Sequence, residues 1–209
     1  AGCSAVAHLA AVASVQASVD DPVKTHQSNF IGSLNVCEAM RQAGVKRVLF
    51  ASSAAVYGNN GEGESIDEDT PKAPLTPYAV DKLASEQYFD FYRREHGLEP
   101  VVFRFFNIFG PRQDPSSPYS GVISIFSERA QKGLPITVFG DGEQTRDFLY
   151  VEDLVDLLVQ AIEKPQVEEG AVNVGWNQAT SLKQMLAAVA VVVGQLPPVS
   201  YGSARAGHI

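Results

Sequence analysis

The first half of the chain alternates short apolar runs with longer amphipathic stretches, and this pattern restricts the fold more than any other feature. The apolar runs Ala5 to Ala11, Arg47 to Ser52 and Pro100 to Arg104 are typical of buried strands. Two helical stretches, Pro22 to Ala43 and Pro77 to His96, separate them. An order of strand, helix, strand, helix, strand predicts an α/β fold with a parallel sheet and crossover helices.

The rhythm changes beyond Asn107, where a loop rich in Pro, Gly and Ser over 110–121 precedes shorter helices and strands. We therefore predict one region over residues 1–110 and a smaller α/β region over residues 111–209, with segments that return to the first. The chain begins without Met, and a predicted strand starts within its first six residues. Its last residue, Ile209, does not follow a recognisable terminal helix or strand. We expect it to be truncated at both ends.

Composition excludes several classes of protein. The 209 residues are 45% hydrophobic, with a net charge of -8 and a pI near 5.0, so we expect a globular protein that binds neither nucleic acid nor a membrane surface. No apolar run is long enough to span a bilayer and no signal peptide is recognisable, which predicts a cytoplasmic location. Cys3 and Cys37 have no zinc-ligand spacing, and we predict no metal site.

Two local patterns at a fixed separation carry the chemistry. Ser53 ends a strand in the run Phe50-Ala51-Ser52-Ser53-Ala54-Ala55-Val56-Tyr57-Gly58, and 25 residues later Tyr78-Ala79-Val80-Asp81-Lys82 opens a helix. Residues four apart share a helix face, so the Lys82 ammonium is expected to approach the Tyr78 phenol and lower its pKa. A phenol with a lowered pKa can act as a base near neutral pH, and Ser53 can complete a hydrogen-bonded path to a substrate hydroxyl.

The chain resembles the extended short-chain dehydrogenases that act on nucleotide sugars, and specifically the UDP-glucose and UDP-N-acetylglucosamine 4-epimerases. Besides the Ser53 strand and the Tyr78 helix, four stretches carry this resemblance: His8-Leu9-Ala10-Ala11, Asn29-Phe30-Ile31-Gly32-Ser33-Leu34-Asn35, Arg104-Phe105-Phe106-Asn107-Ile108-Phe109-Gly110-Pro111 and Arg146-Asp147-Phe148-Leu149-Tyr150-Val151-Glu152-Asp153. The resemblance implies a Rossmann-like doubly wound parallel sheet without its first strands, followed by a smaller C-terminal substrate-binding region.

The resemblance also implies a role for each matched residue. Tyr78 would exchange a proton with the sugar 4-hydroxyl while NAD accepts the hydride from C4, and Lys82 and Ser53 would complete the catalytic set. The implied cofactor-binding residues are Leu9, Ala10, Ala11, Asn29, Ala51, Ser52, Tyr78, Lys82 and Phe105. The implied residues for the UDP-sugar are Ser53, Asn107, Val122, Arg146 and Arg205.

Several alternatives stay open. Ala54 and Ala55 stand where related dehydratases and decarboxylases carry acidic residues, which favours an epimerase. An NADPH-dependent 4-keto-sugar reductase and a non-catalytic dinucleotide-binding protein remain possible. The glycine-rich phosphate turn and the acidic residue that selects NAD over NADP are absent from the sequence, and the identity of the hexose is undetermined.

Some of these residues have a structural interpretation as well. The Asn29 amide could serve only to hydrogen-bond a neighbouring strand, and Arg146 could pair with the adjacent Asp147 at the surface. His8 is expected to be a hydrogen-bonded strand residue rather than a ligand. The resemblance implies a homodimer formed through the helices over residues 22–43 and 77–96.

Overall fold

The computed structural model describes residues 2–60, 65–117, 121–164 and 169–203, and these divide into two compact units. The first unit comprises residues up to Phe105 together with Val155–Val174, and the second comprises Phe106–Leu154 and the residues from Gly175 onwards. The assignment of residues 1–110 to the cofactor and of 111–209 mainly to the substrate stays a prediction.

A four-stranded parallel sheet in the order β1-β2-β3-β7 forms the centre of the first unit. Its strands are β1 (Ala5–His8), β2 (Arg47–Ser53), β3 (Glu99–Phe105) and β7 (Ala171–Val174). The helices of this unit are α1 (Val15–Asp20), α2 (Pro22–His26), α3 (Gly32–Ala43) and α4 (Pro77–His96), with a π-helical turn over Gln27–Ile31 and a 3₁₀ turn over Ala54–Tyr57. The predicted α/β class with a parallel sheet and crossover helices is confirmed.

Apolar residues of α3 and α4 bury one face of this sheet. The cluster contains Cys37, Met40, Val48, Phe50, Phe89, Tyr92, Leu98 and Val102. Residues 48–52 of β2 are all buried, so side chains on both faces of this central strand are covered, as expected for a parallel sheet. Strand β2 lies between β1 and β3, so its carboxyl end is flanked by a neighbouring strand on each side.

The second unit contains small sheets and three helices. Strands β4 (Asn107–Phe109), β6 (Thr145–Tyr150) and β8 (Ala179–Ser181) form one sheet, and β5 (Ile136–Phe139) pairs with β9 (Val199–Gly202). The helices are α5 (Val122–Gln131), α6 (Val151–Glu163), which continues into the first unit, and α7 (Leu182–Val193). A core from α5, β5 and α7 contains Phe126, Ala130, Ile136, Val138, Leu182, Met185 and Leu186.

Two predicted elements differ from the structure. The strand expected over Ala5 to Ala11 ends at His8, and the helix expected over Pro22 to Ala43 contains the π turn. No helix in the described part of the chain is both long and apolar enough to cross a membrane.

Candidate active site

The carboxyl ends of three parallel strands place most of the predicted cofactor residues at one edge of the first unit. Strand β1 ends at His8, β2 at Ser53 and β3 at Phe105, and the last two residues are register partners. Residues 9–11 follow β1 directly. Ligands of open α/β sheets bind at this edge, outside the carboxyl ends of the strands.

The start of α4 fixes the positions of Tyr78 and Lys82. Thr76 caps the helix by accepting a hydrogen bond from Ala79 N at 3.3 Å, and Pro77 occupies the first helical position. Tyr78 is therefore the second residue of the helix, and Lys82 follows one turn later on the same face.

Lys82 is buried at the centre of the site. Its side chain is 4% exposed, and Nζ donates to the carbonyl oxygen of Ala51 at 2.5 Å. The ammonium lies 4.9 Å from the ring centre of Phe50 and 5.8 Å from that of Tyr78. Burial lowers the pKa of Lys82 from 10.5 to about 8, and the Glu86 carboxylate opposes this change.

The Tyr78 phenol is held in its neutral form. Burial raises its pKa above 10, and a hydrogen bond with Ser53 only partly offsets that effect. The prediction that Lys82 lowers the pKa of Tyr78 is wrong, because desolvation of the buried phenol dominates. The Lys82 ammonium is instead drawn towards the end of β2, where it binds Ala51.

Ser53 links β2 to the following 3₁₀ turn. Its Oγ accepts from Ala55 N at 3.2 Å and so caps Ala54–Tyr57. The turn closes at Gly58, whose φ is 62° and where an added Cβ would lie 2.0 Å from the carbonyl oxygen of Ala73. Only glycine fits this position, so the local sequence fixes the path of the chain on both sides of the turn.

Asn29 holds the loop that follows β1. Its Oδ1 accepts from Val12 N at 2.7 Å and its Nδ2 donates to Val12 O at 3.0 Å. The side chain is 3% exposed and lies in the π turn. The Asn29 amide therefore has a structural partner, although that partner is a loop rather than a strand; the loop carries residues 9–11, and the cofactor role of Asn29 stays a prediction.

His8 is a hydrogen-bonded strand residue, as the sequence analysis predicted. Its Nε2 lies 2.9 Å from Ser33 Oγ, and Ser33 in turn donates to Asn29 O at 2.5 Å. Burial and the nearby Lys82 charge lower the pKa of His8, which keeps the imidazole neutral.

The second unit holds the predicted substrate residues that the structure describes. Asn107 Nδ2 donates to Asp147 O at 3.2 Å, and Val122 is the first residue of α5. Burial lowers the pKa of Arg146, which forms no ion pair with any described residue. Arg205 lies outside the described residues, and its role stays a prediction.

Asp147 does not pair with Arg146, so the interpretation of Arg146 as part of a surface ion pair with its neighbour is wrong. Its Oδ1 accepts from Trp176 N at 2.7 Å and its Oδ2 from Asn177 N at 2.8 Å. An added Cβ at Gly175 would lie 2.6 Å from Asp147 Oδ2. Asp147 therefore shapes the turn after β7, and no carboxylate in the described ranges pairs with the Arg146 guanidinium.

The arrangement around Ser53, Tyr78 and Lys82 suits proton exchange with a hydroxyl compound. The Ser53 and Tyr78 hydroxyls are hydrogen-bonded to each other, and the buried ammonium 5.8 Å from the Tyr78 ring centre uses one of its three hydrogen-bond donors within the described residues. No group of His, Cys, Asp and Glu in the described ranges could hold a metal ion. Glu86 and Arg104 had no predicted role, although a charged residue such as Arg104 within the apolar strand β3 indicates a buried partner.

A family model and individual proteins similar to this chain indicate the same family. The sequence pattern of the NAD dependent epimerase/dehydratase family matches residues 1–175. The UDP-glucose 4-epimerase of Mycolicibacterium smegmatis is 38% identical over 97% of this chain and 64% of its own length.

Solved structures share the fold at a similar identity. A UDP-N-acetylglucosamine 4-epimerase from Methanobrevibacter ruminantium, in complex with UDP-N-acetylmuramic acid, superposes with a TM-score of 0.93 at 36% identity, over 98% of this chain and 65% of that one. The Thermus thermophilus UDP-glucose 4-epimerase in complex with NAD gives 0.90 at 40% identity, over 99% and 67%. The chain thus spans about two thirds of the proteins it matches, and its sheet is Rossmann-like.

Proposed function

The chain belongs to the NAD dependent epimerase/dehydratase family, and on that premise we propose that it inverts C4 of a UDP-hexose with NAD as cofactor. The observation that carries this proposal is the meeting of Ser53, Tyr78 and Lys82 at the carboxyl edge of the parallel sheet. UDP-glucose and UDP-N-acetylglucosamine, with their 4-epimers, are the substrates we put forward.

The donor set fits the groups that such a cofactor presents. Within the described residues the Lys82 ammonium uses one hydrogen-bond donor, which leaves two that can bind ribose hydroxyls. The loop after β1 carries Leu9, Ala10 and Ala11, whose backbone we propose lies on the same cofactor side. Asn29, Ala51, Ser52 and Phe105 complete the proposed cofactor side. NAD, when bound, supplies the acceptor and then the donor of the hydride at C4.

Side chains of this protein carry out the proton exchange at the sugar 4-hydroxyl. Tyr78 takes the hydroxyl proton as C4 is oxidised and returns it when C4 is reduced on its other face, and Ser53 bridges the phenol and the sugar oxygen. Lys82 is mostly charged at pH 7, below its pKa of about 8, so it stabilises the phenolate that forms. The residues after Ser53 are Ala54 and Ala55, which carry no acid for elimination or decarboxylation.

The nucleotide diphosphate requires a cation, which we assign to Arg146. Its guanidinium has no described ion-pair partner, and a planar guanidinium matches phosphate oxygens. Asn107, Val122 and Arg205 are proposed to line the same ligand. Arg146→Met should raise the KM for the UDP-sugar about tenfold or more with little change in kcat, whereas Arg112→Met should leave both unchanged.

We also propose a homodimer through the helices over residues 22–43 and 77–96. Val23 of α2 is 73% exposed and Val80 of α4 is 48% exposed, and both line one apolar groove with Leu75. Light scattering during gel filtration should give twice the chain mass, and Val23→Glu should give the monomer mass. A monomer for the unaltered protein would refute the assembly.

The decisive experiment follows the products. Purified protein is incubated with NAD and either UDP-glucose or UDP-N-acetylglucosamine, and the 4-epimers are separated by chromatography. Tyr78→Phe should reduce turnover by a factor of about 100 or more while nucleotide binding persists. Tyr92→Phe is the matched control, because that hydroxyl lies on the same helix but donates to Glu38. Net consumption of NADPH with a 4-keto sugar, without epimer, would instead identify a reductase.

A further inference from the structure

A buried ion pair lies one helical turn beyond Lys82. Glu86 of α4 and Arg104 of β3 are each 6% exposed. Arg104 Nη2 donates to Glu86 Oε2 at 2.7 Å and its Nε donates to Oε1 at 3.1 Å. The two charges therefore form a two-point contact in the interior of the first unit.

Hydrogen bonds extend this pair across the sheet. The Ser52 hydroxyl donates to Glu86 Oε1, and Arg104 Nη1 donates to the Tyr57 hydroxyl at 2.8 Å. Tyr57 in turn donates to Asn173 Oδ1 at 2.7 Å. The network joins β2, β3, β7, α4 and the 3₁₀ turn, and each of its links is buried or partly buried.

The network adjoins the proposed catalytic residues through their neighbours in sequence, and one member, Ser52, also lies on the proposed cofactor side. Ser52 precedes Ser53, and Glu86 lies four residues after Lys82 on the same helix. The carboxylate thus fixes α4 against the end of β2. It also supplies negative charge that counters the cost of burying the Lys82 ammonium.

We propose that Glu86 is a positioning residue for the catalytic centre: its carboxylate is held by Arg104 and Ser52, and it fixes helix α4, and with it Lys82, against the end of β2. The role of Glu86 in turnover rests on the proposed function. Its effect on the charge of Lys82 does not, and can be measured whether or not the protein is an epimerase. Arg104 also has an opposing effect. Its positive charge partly neutralises the Glu86 carboxylate and so weakens the electrostatic stabilisation of the Lys82 ammonium by Glu86.

The groups that act on Lys82 come from several elements. His8 of β1 is an imidazole held neutral, Tyr78 of α4 is a neutral phenol, and Arg104 of β3 lies behind Glu86. Glu86 is therefore the negative charge in this set. Removing it and removing Arg104 must shift the titration of Lys82 in opposite directions, which general loosening of the core would not do.

Direct titration of Lys82 tests this sign. The chain has seven lysines, so the ¹³Cε signal of Lys82 in ¹³C-lysine-labelled protein can be assigned by its loss in Lys82→Met. Glu86→Gln keeps the shape of the side chain and should lower the pKa of Lys82 by about one unit. Arg104→Met should raise it, and Arg93→Gln, at an exposed ion pair of the same helix, should leave it unchanged.

The outcomes separate the possible errors. Shifts of the same sign in both variants, or no shift in either, would overturn the role of Glu86. If Glu86→Gln does not fold, Arg104→Met and the double variant Glu86→Gln/Arg104→Met still give the test, since the double variant should titrate below the Arg104→Met protein.

Turnover is measured on the same proteins. The alkaline limb of kcat should move with the NMR titration, to lower pH in Glu86→Gln and to higher pH in Arg104→Met. A kcat limb that ignores the NMR shifts would overturn the link to catalysis. An unaltered protein that makes no epimer at all would refute the proposed function and leave the electrostatic result to stand on the NMR.

Discussion

Replacing Lys82 with methionine should stabilise the protein while it abolishes turnover. The pKa of Lys82 falls from 10.5 to about 8 on folding because the side chain is buried. Each pKa unit corresponds to about 1.4 kcal/mol, so the charged form costs the native state roughly 3 kcal/mol at pH 7. Methionine has a similar length and needs no charge there, and after loss of the hydrogen bond to Ala51 we expect a net gain of about 1–3 kcal/mol.

The pH dependence provides the sharper test. Below pH 8 the lysine is charged in both the folded and the unfolded chain, so the full cost is present. Between about pH 8 and 10.5 the unfolded chain binds more protons than the folded one, and the stability of the unaltered protein rises with pH. The advantage of Lys82→Met should therefore shrink across this range, because methionine does not titrate.

Urea unfolding followed by far-ultraviolet circular dichroism measures the effect at pH 7 and pH 10. Circular dichroism is preferable to fluorescence, since the single tryptophan, Trp176, belongs to the second unit. Lys46→Met is the matched control at an exposed position and should change the free energy of unfolding by less than about 0.5 kcal/mol. A Lys82→Met protein that is less stable, or whose advantage is the same at both pH values, would refute the argument.

Three further substitutions test the supports of the site and its neighbouring unit. Asn29→Ala removes both hydrogen bonds to the loop after β1 and should cost about 2–4 kcal/mol in urea unfolding; an unchanged NAD affinity in calorimetry would show that the loop needs no such anchor. Gly58→Ala should cost more than about 3 kcal/mol, whereas Gly44→Ala has a similar positive φ and open space and should cost only about 1 kcal/mol; equal losses would mean that backbone strain alone decides. Asp147→Asn places an amide against two backbone donors, so it should destabilise the second unit by about 1–2 kcal/mol and alter Trp176 fluorescence; an unchanged emission spectrum on native protein would contradict the assigned role.

Local signals predicted the first unit well. Helix α4 begins at Pro77 and ends before Gly97, and both residues are ordinary helix boundaries. Strand β6 was not predicted, because Arg146 and Asp147 interrupt the apolar pattern. Its pairing with β4 and β8 depends on partners distant in sequence, which single-sequence periodicity does not report.

The spatial proximity of the residues in the candidate site was predictable from the sequence, but their electrostatics were not. The spacing of Ser53, Tyr78 and Lys82 follows from strand and helix geometry, and the three residues meet as expected. The pKa of Tyr78 rises instead of falling because burial depends on the whole fold. The ion pair of Glu86 and Arg104 was not predicted, because it joins a helix to a strand and leaves no fixed spacing in the sequence.

The π turn over Gln27–Ile31 gives the helix between Asp21 and Gly44 one residue more than a regular α-helical path requires. Successive residues of an α-helix point in directions about 100° apart. The extra residue therefore determines how the side chains of α2 are rotated about the helix axis relative to those of α3. Deleting one residue in this turn would produce a more regular helix whose two halves face the wrong directions. The Asn29 amide would then leave Val12, and the loop beside the proposed cofactor would lose its anchor although no residue of that loop had changed.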